Sequence, residues 1–419
     1  MLRNLGEKYS PLYFLAALGL GGMSTFFFML FMFVTPHPGT PIPTFESIQA
    51  AWADGPTPMR AAIIIGYAGL ITFVLLHIRM VVWNLKEFAL FRRTAAFETT
   101  RNSNAGVTLM AVPLTLAMSL NVAFVSGATL VPRMWDIIEF ALPAALAIFI
   151  TIGIYALRVY GRFARHIFSG NFKFEANTGL NQLLAVFAFA MVGVGMAAGA
   201  AMSQNLATAS VGWAGSIFFA TVSILIFAAM LPLGIKSMLR HGLAPVNTAT
   251  LWLPVPIVTL WGITFVRNSH GAAFFEANAT GEAGNHNMTV AMVLTIGLAI
   301  QVAFLLFGHM FMKSNGFYND YVLTKKHQSP VAFTMVCPGV ALGVLGYFAV
   351  HAGLVANGVV DKYSTVYFAL LAVIWLIQAA TIGLIVVLMK NQIFRGTGAE
   401  MTKAASADAA PAAKAKVSV

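Results

Sequence analysis

Hydrophobic residues in this chain run in long blocks and do not alternate with polar ones. Ten blocks, at about 11–34, 58–84, 106–130, 136–158, 177–202, 210–235, 248–267, 287–312, 329–354 and 364–389, are each long enough to cross a bilayer as a helix. Short polar connections separate them, and no stretch shows the period-2 alternation of a half-buried strand. The pattern predicts an all-α integral membrane protein. Residues 1–395 form one domain of ten transmembrane helices, and the Ala/Lys-rich stretch 396–419 is expected to be a disordered tail. An even number of spans puts both ends of the domain on one side.

Composition agrees. Of 419 residues, 59% are hydrophobic and only 9% charged, with a mean hydropathy of +0.80. Soluble domains carry about a quarter charged residues. The formal charge of +11 therefore reports topology and not nucleic-acid binding. All but Arg60, Arg133, Arg267 and Lys362 of the 25 basic residues fall at the two ends or in the even-numbered connections. By the positive-inside rule both ends are cytoplasmic. The opposite connections carry Glu46, Asp54, Asp136, Glu276, Glu282 and Asp361. The first of them is proline-rich, with a short helix expected near Phe45–Trp52. The fourth, from Arg267 to Asn287, reads as a Gly/Asn-rich loop holding His270 and His286. The basic N-terminal segment lacks a small-residue cleavage site, so the first block reads as a retained helix. A single cysteine, Cys337, allows no intrachain disulfide.

Odd and even blocks differ. The odd ones carry Pro11, Gly19, Gly21 and Gly22; Pro113; Gly193, Gly195 and Gly199; Pro254 and Pro256; and Pro338. Most even ones are plain Leu/Ile/Val/Phe/Ala spans. Proline removes a backbone donor and kinks a helix, and kinked helices are tolerated at membrane depth where protein covers them or where they line a wet cavity. The reading is five two-helix hairpins, odd helices inside and even helices facing lipid, although glycine and proline are also commoner in membrane helices generally. The ninth block, Ser329 to Gly353, places Cys337 directly before Pro338, with Gly339, Gly343 and Gly346 following. It is expected to break at Pro338 and to border a central pore.

Five hairpins with kinked inner helices, together with Ala332-Phe333-Thr334-Met335 in the ninth span, carry a family resemblance over roughly residues 8–390. The chain resembles the tellurite-resistance/dicarboxylate transporter superfamily, which includes the slow-type anion channels. A bacterial branch of it has members with selenocysteine in helix nine, a position that Cys337 would match. The resemblance implies a central pore, a homo-oligomer such as a trimer, and a location in the bacterial inner membrane. In the bacterial channel the run is Ala-Phe-Ser-Phe and its last phenylalanine plugs the pore. Here Met335 stands in that place, and methionine would occlude more loosely.

The chemistry on offer is modest. The inner spans read as free of Asp, Glu, Lys and Arg at mid-depth, which argues against a carboxylate proton relay. Hydroxyls and amides (Ser24, Thr25, Thr115, Ser119, Asn121, Thr259, Thr334), with half-helix N-termini created by the prolines, could still favour anions. The same groups could merely bond neighbouring helices. Phenylalanines, above all Phe27 in the run Phe26–Phe28 and Phe333, could constrict a pore by dewetting. The pore and gate set is therefore Phe27, Phe333, Thr334, Met335, Cys337 and Pro338. Cys337 is either an inert small hydrophobe or a reactive thiol at a helix break. No histidine pair sits where haem would need one, and phosphate-loop, nucleophile-elbow and zinc-helix motifs are absent from the sequence. The expected protein is not an enzyme and uses no cofactor or metal. It is an anion channel or exporter for small inorganic anions, sulfur oxyanions such as sulfite, or dicarboxylates. The alternatives are a non-catalytic membrane subunit of a redox complex and a coupled secondary transporter.

Overall fold

The computed structural model describes residues 1–324 and 327–394. The expected disordered tail lies outside the described residues. Twelve α-helices account for the framework: α1 (Phe14–Val34), α2 (Phe45–Asp54), α3 (Thr57–Phe91), α4 (Ala95–Arg101), α5 (Ala111–Leu130), α6 (Ile138–His166), α7 (Leu183–Met202), α8 (Leu206–His241), α9 (Pro254–Thr280), α10 (Asn287–Ser314), α11 (Val336–Phe348) and α12 (Thr365–Leu388). No strand occurs among the described residues. Among the described residues, ten helical spans are long and apolar enough to cross a membrane, so the protein is an all-α membrane protein. The expected short helix near residue 45 is α2. It starts from a Thr44/Ser47 capping box on the far side from the chain ends.

Burial separates the spans into two classes. In the most apolar stretch of the spans built on α1, α5, α7, α9 and α11, between 61% and 94% of residues are buried. For those built on α3, α6, α8, α10 and α12 the share is 17% to 33%. Odd spans are inside and even spans outside, as the Gly/Pro pattern predicts. The outer helices present Leu75, Leu225, Leu306 and Leu376 outward, each well exposed. In water such a surface would aggregate; in a bilayer it is the solvated face.

All five inner helices are entered in the same way and at the same end. Three-residue-spaced turns cover Pro11–Tyr13, Asn104–Met110, Pro245–Trp252 and Pro330–Met335. Before α7 the N–H groups of Leu183, Leu184 and Ala185 bond the carbonyls of Leu180, Asn181 and Gln182, again three residues back. These lead-in turns knit together at the terminal face. Leu180 N–H donates to Thr250 Oγ1 at 2.8 Å, and Ser329 N–H donates to Gln392 Oε1 at 2.9 Å. The prolines therefore do something other than expected. Pro113, Pro254, Pro256 and Pro338 lie in the first turn of α5, α9 and α11, where no intrahelical acceptor awaits their missing N–H. They set where each helix begins and do not break it at mid-depth. Gly339, Gly343 and Gly346 also face outward. A Cβ on them would collide with Thr381, Gln378 and Ile374 of α12, so the glycines let the ninth and tenth spans approach closely.

The first and last described segments meet at this face, where Leu2 N–H bonds the Ile393 carbonyl at 3.1 Å. Glu87, buried near the end of α3, accepts from the N–H groups of Asn4 at 3.0 Å and Leu5 at 2.8 Å. Truncating it strands two backbone donors. Glu87→Ala is expected to lower stability by about 2 kcal/mol, read as earlier thermal unfolding of the detergent-solubilised protein. An unchanged transition would mean that water replaces the carboxylate freely.

Candidate functional site

The five inner helices enclose a central cavity of about 130 Å³. Its wall takes Gly19, Gly22 and Thr25 from α1, Asn121 and Phe124 from α5, Phe187, Met191 and Gly195 from α7, Pro256, Thr259 and Arg267 from α9, and Cys337, Val340 and Phe348 from α11. One outer helix also reaches it: α6 contributes Leu146 and Phe149, which pack on Gly199 and Gly195 of α7. Most of this lining is apolar. Its hydroxyls and amides are largely spent on neighbours. Thr25 Oγ1 donates to the Gly21 carbonyl, Thr259 Oγ1 to that of Ala341 at 3.1 Å, and the Asn121 amide nitrogen to the Ala117 carbonyl at 3.2 Å.

Arg267 is the exception. The seventh block ends at residue 267 on hydrophobicity alone, which puts this arginine on the surface. The helix does not stop there. α9 continues through His270, Ala272, Ala273 and Ala277 to Thr280, so Arg267 lies midway along 27 residues. The stretch read as a long loop is mostly helix, closed by Gly281 in a left-handed conformation. Arg267 is half-buried and borders the cavity. One terminal nitrogen, Nη1, donates to the Val194 carbonyl of α7 at 2.7 Å. No carboxylate among the described residues pairs with it. A guanidinium has five N–H donors, so one carbonyl leaves most of its capacity unused. An uncompensated cation at membrane depth is costly, and such residues mark substrate or ion pathways.

The pore and gate residues expected from sequence are dispersed. Cys337 is in the cavity wall, at 8% exposure, with a free thiol. Pro338 follows it in the first turn of α11, and the wall does not include it. Phe333, Thr334 and Met335 are buried in the lead-in turn before α11, outside the wall. There Thr334 Oγ1 donates to the Val331 carbonyl at 2.7 Å. Phe27 points away from the cavity and stacks on Phe73 of α3, centroids 5.7 Å apart, with Trp375 edge-on at 5.6 Å. The aromatic rings that do border the space are Phe124, Phe149, Phe187 and Phe348.

Arg267 was findable from sequence. Pro256, Leu260, Ile263 and Arg267 step by four, three and four residues, which is one helix face, and the alanines beyond are strong helix formers. Hydropathy averaging hides this, because it ends a span at the first charge. The histidines closest to helical depth have local partners. His77 bonds the Ala17 carbonyl at 2.8 Å and Ser119 Oγ at 3.0 Å, and His351 lies between the Tyr347 carbonyl and the Tyr367 hydroxyl. No cluster of three His, Cys, Asp or Glu side chains that could hold a metal occurs among the described residues. No family model, curated protein or solved structure matches this chain.

Proposed function

We propose that this protein passes small anions across a membrane through the central cavity, with Arg267 as the group that draws the anion in. The single observation that carries this reading is a cation midway along α9, bordering a cavity between five inner helices and lacking a carboxylate partner among the described residues. Charge at that position lowers the cost of bringing an anion out of water and raises the cost for a cation. Half-helix N-termini at mid-depth are the other expected source of positive charge. With the prolines at the helix starts, Arg267 takes over that role.

Both ends are cytoplasmic by the distribution of Lys and Arg, and a bacterial inner membrane is what the family resemblance implies. The resemblance to the tellurite-resistance/dicarboxylate superfamily and a homo-oligomeric state belong to this proposal too. The test is purified protein in liposomes carrying a trapped anion-sensitive dye. Nitrate or chloride entry should follow the membrane potential and exceed potassium entry. Well-folded protein that moves neither anion would overturn the reading and favour a subunit of a larger membrane complex.

A further inference from the structure

The cavity-facing stripe of α9 does not end at Arg267. The next step of three residues reaches His270, which is exposed on the far side from the chain ends. The opposite stripe, Thr264, Phe265, Asn268 and Ser269, lines a separate groove against α8. Arg267 and His270 are therefore stacked one turn apart, with about 5–6 Å between their Cβ atoms.

We propose that His270 and Arg267 form a two-cation outer site that holds a small monovalent inorganic anion before it enters the cavity, with the imidazolium form of His270 as the binding form. This rests on the anion-path reading and adds to it an outer site and a proton requirement.

The surroundings leave His270 as the titrating group of that mouth. α7 carries no ionisable side chain along Leu183–Met202. The charged residues of α8 and α10 (Lys236, Arg240, His241, His309, Lys313) are at their opposite ends, near the terminal face. α11 offers Cys337 and Tyr347, both uncharged at neutral pH, and His351 beyond it is held by Tyr347 and Tyr367. On the far side itself, Glu139 is held by the Ser203 hydroxyl and the Gln204 N–H. Glu276 sits 3.4 Å from His286 Nε2, and Glu282 lies in the following turn. No carboxylate among the described residues is paired with His270.

The physical consequence is a linkage. Two cations one turn apart repel each other, and an anion between them turns that repulsion into two attractions. Anion binding and protonation of His270 therefore favour one another, each by the same factor. As pH falls through the histidine range, binding tightens; conversely, adding anion draws protons from solution.

The experiment uses nitrate as the probe and two readouts. In weakly buffered detergent solution near pH 6.5, nitrate addition should cause proton uptake by the native protein and none by His270→Gln. In liposomes, the KM for nitrate entry should fall about tenfold between pH 8 and pH 5.5 for the native protein. It should stay flat for His270→Gln and stay low at both pH values for His270→Lys. His286→Gln, which removes the neighbouring titratable ring, should leave the proton uptake in place. Proton uptake and a pH-dependent KM that survive in His270→Gln would overturn the outer site. If Arg267→Gln still abolishes nitrate entry in that case, the anion path stands without it. If neither variant alters nitrate entry, the path itself falls.

Discussion

Replacing Arg267 by glutamine is expected to cut nitrate entry into proteoliposomes by roughly 100-fold, the equivalent of losing about 3 kcal/mol of charge stabilisation of the passing anion. Glutamine keeps a donor for the Val194 carbonyl, so the contact between α9 and α7 need not be lost with the charge. The variant should therefore elute and unfold as the native protein does, which separates a transport defect from a folding defect. Arg267→Lys should retain part of the flux. It keeps the charge but loses the planar fork that can hold a carbonyl and an anion together. Flux within twofold of native in a folded Arg267→Gln protein would remove this residue from the path.

The second large effect is chemical. Cys337 is the chain's only cysteine and borders the same cavity, so a thiol reagent that reaches it marks one place. A sulfonatoethyl methanethiosulfonate adduct adds bulk and a negative charge to a space of about 130 Å³. It is expected to abolish nitrate entry almost completely, while Cys337→Ala is indifferent to the reagent. Nitrate present during labelling should slow the reaction, because anion and reagent compete for one cavity. Full flux after stoichiometric modification, shown by the mass of the intact protein, would place the anion route elsewhere. This prediction does not require Arg267: it depends only on Cys337 bordering the space the anion crosses.

The two predictions differ in how they could have been reached. Cys337 stood out in the sequence by its uniqueness and by the proline after it, and the fold puts it in the cavity wall. Its neighbours in the linear sequence did not come with it. Phe333, Thr334 and Met335 are in a turn with a three-residue repeat, which rises more steeply than an α-helix and carries them toward the terminal face, below the cavity. Phe27 lies on a helix buried on nearly all sides, where hydrophobicity does not reveal which flank meets a cavity and which meets a neighbour. Arg267 illustrates the opposite failure. A single charge ended a hydropathy window, although the periodicity on both sides of it was helical.

What the sequence determined by itself was the class of the protein and its two shells. Ten apolar blocks admit only helices in a membrane, since every backbone donor there must be satisfied within its own segment. Glycine and proline marked the odd blocks, because only thin or specially started helices can pack five around a centre. Tertiary structure alone decided which side chains meet. The rotation of each helix about its axis is set by contacts between hairpins dozens of residues apart, such as Thr259 with Ala341 and Arg267 with Val194. Half a turn of rotation error exchanges a cavity wall for a lipid face, and nothing local in an all-apolar helix encodes the difference.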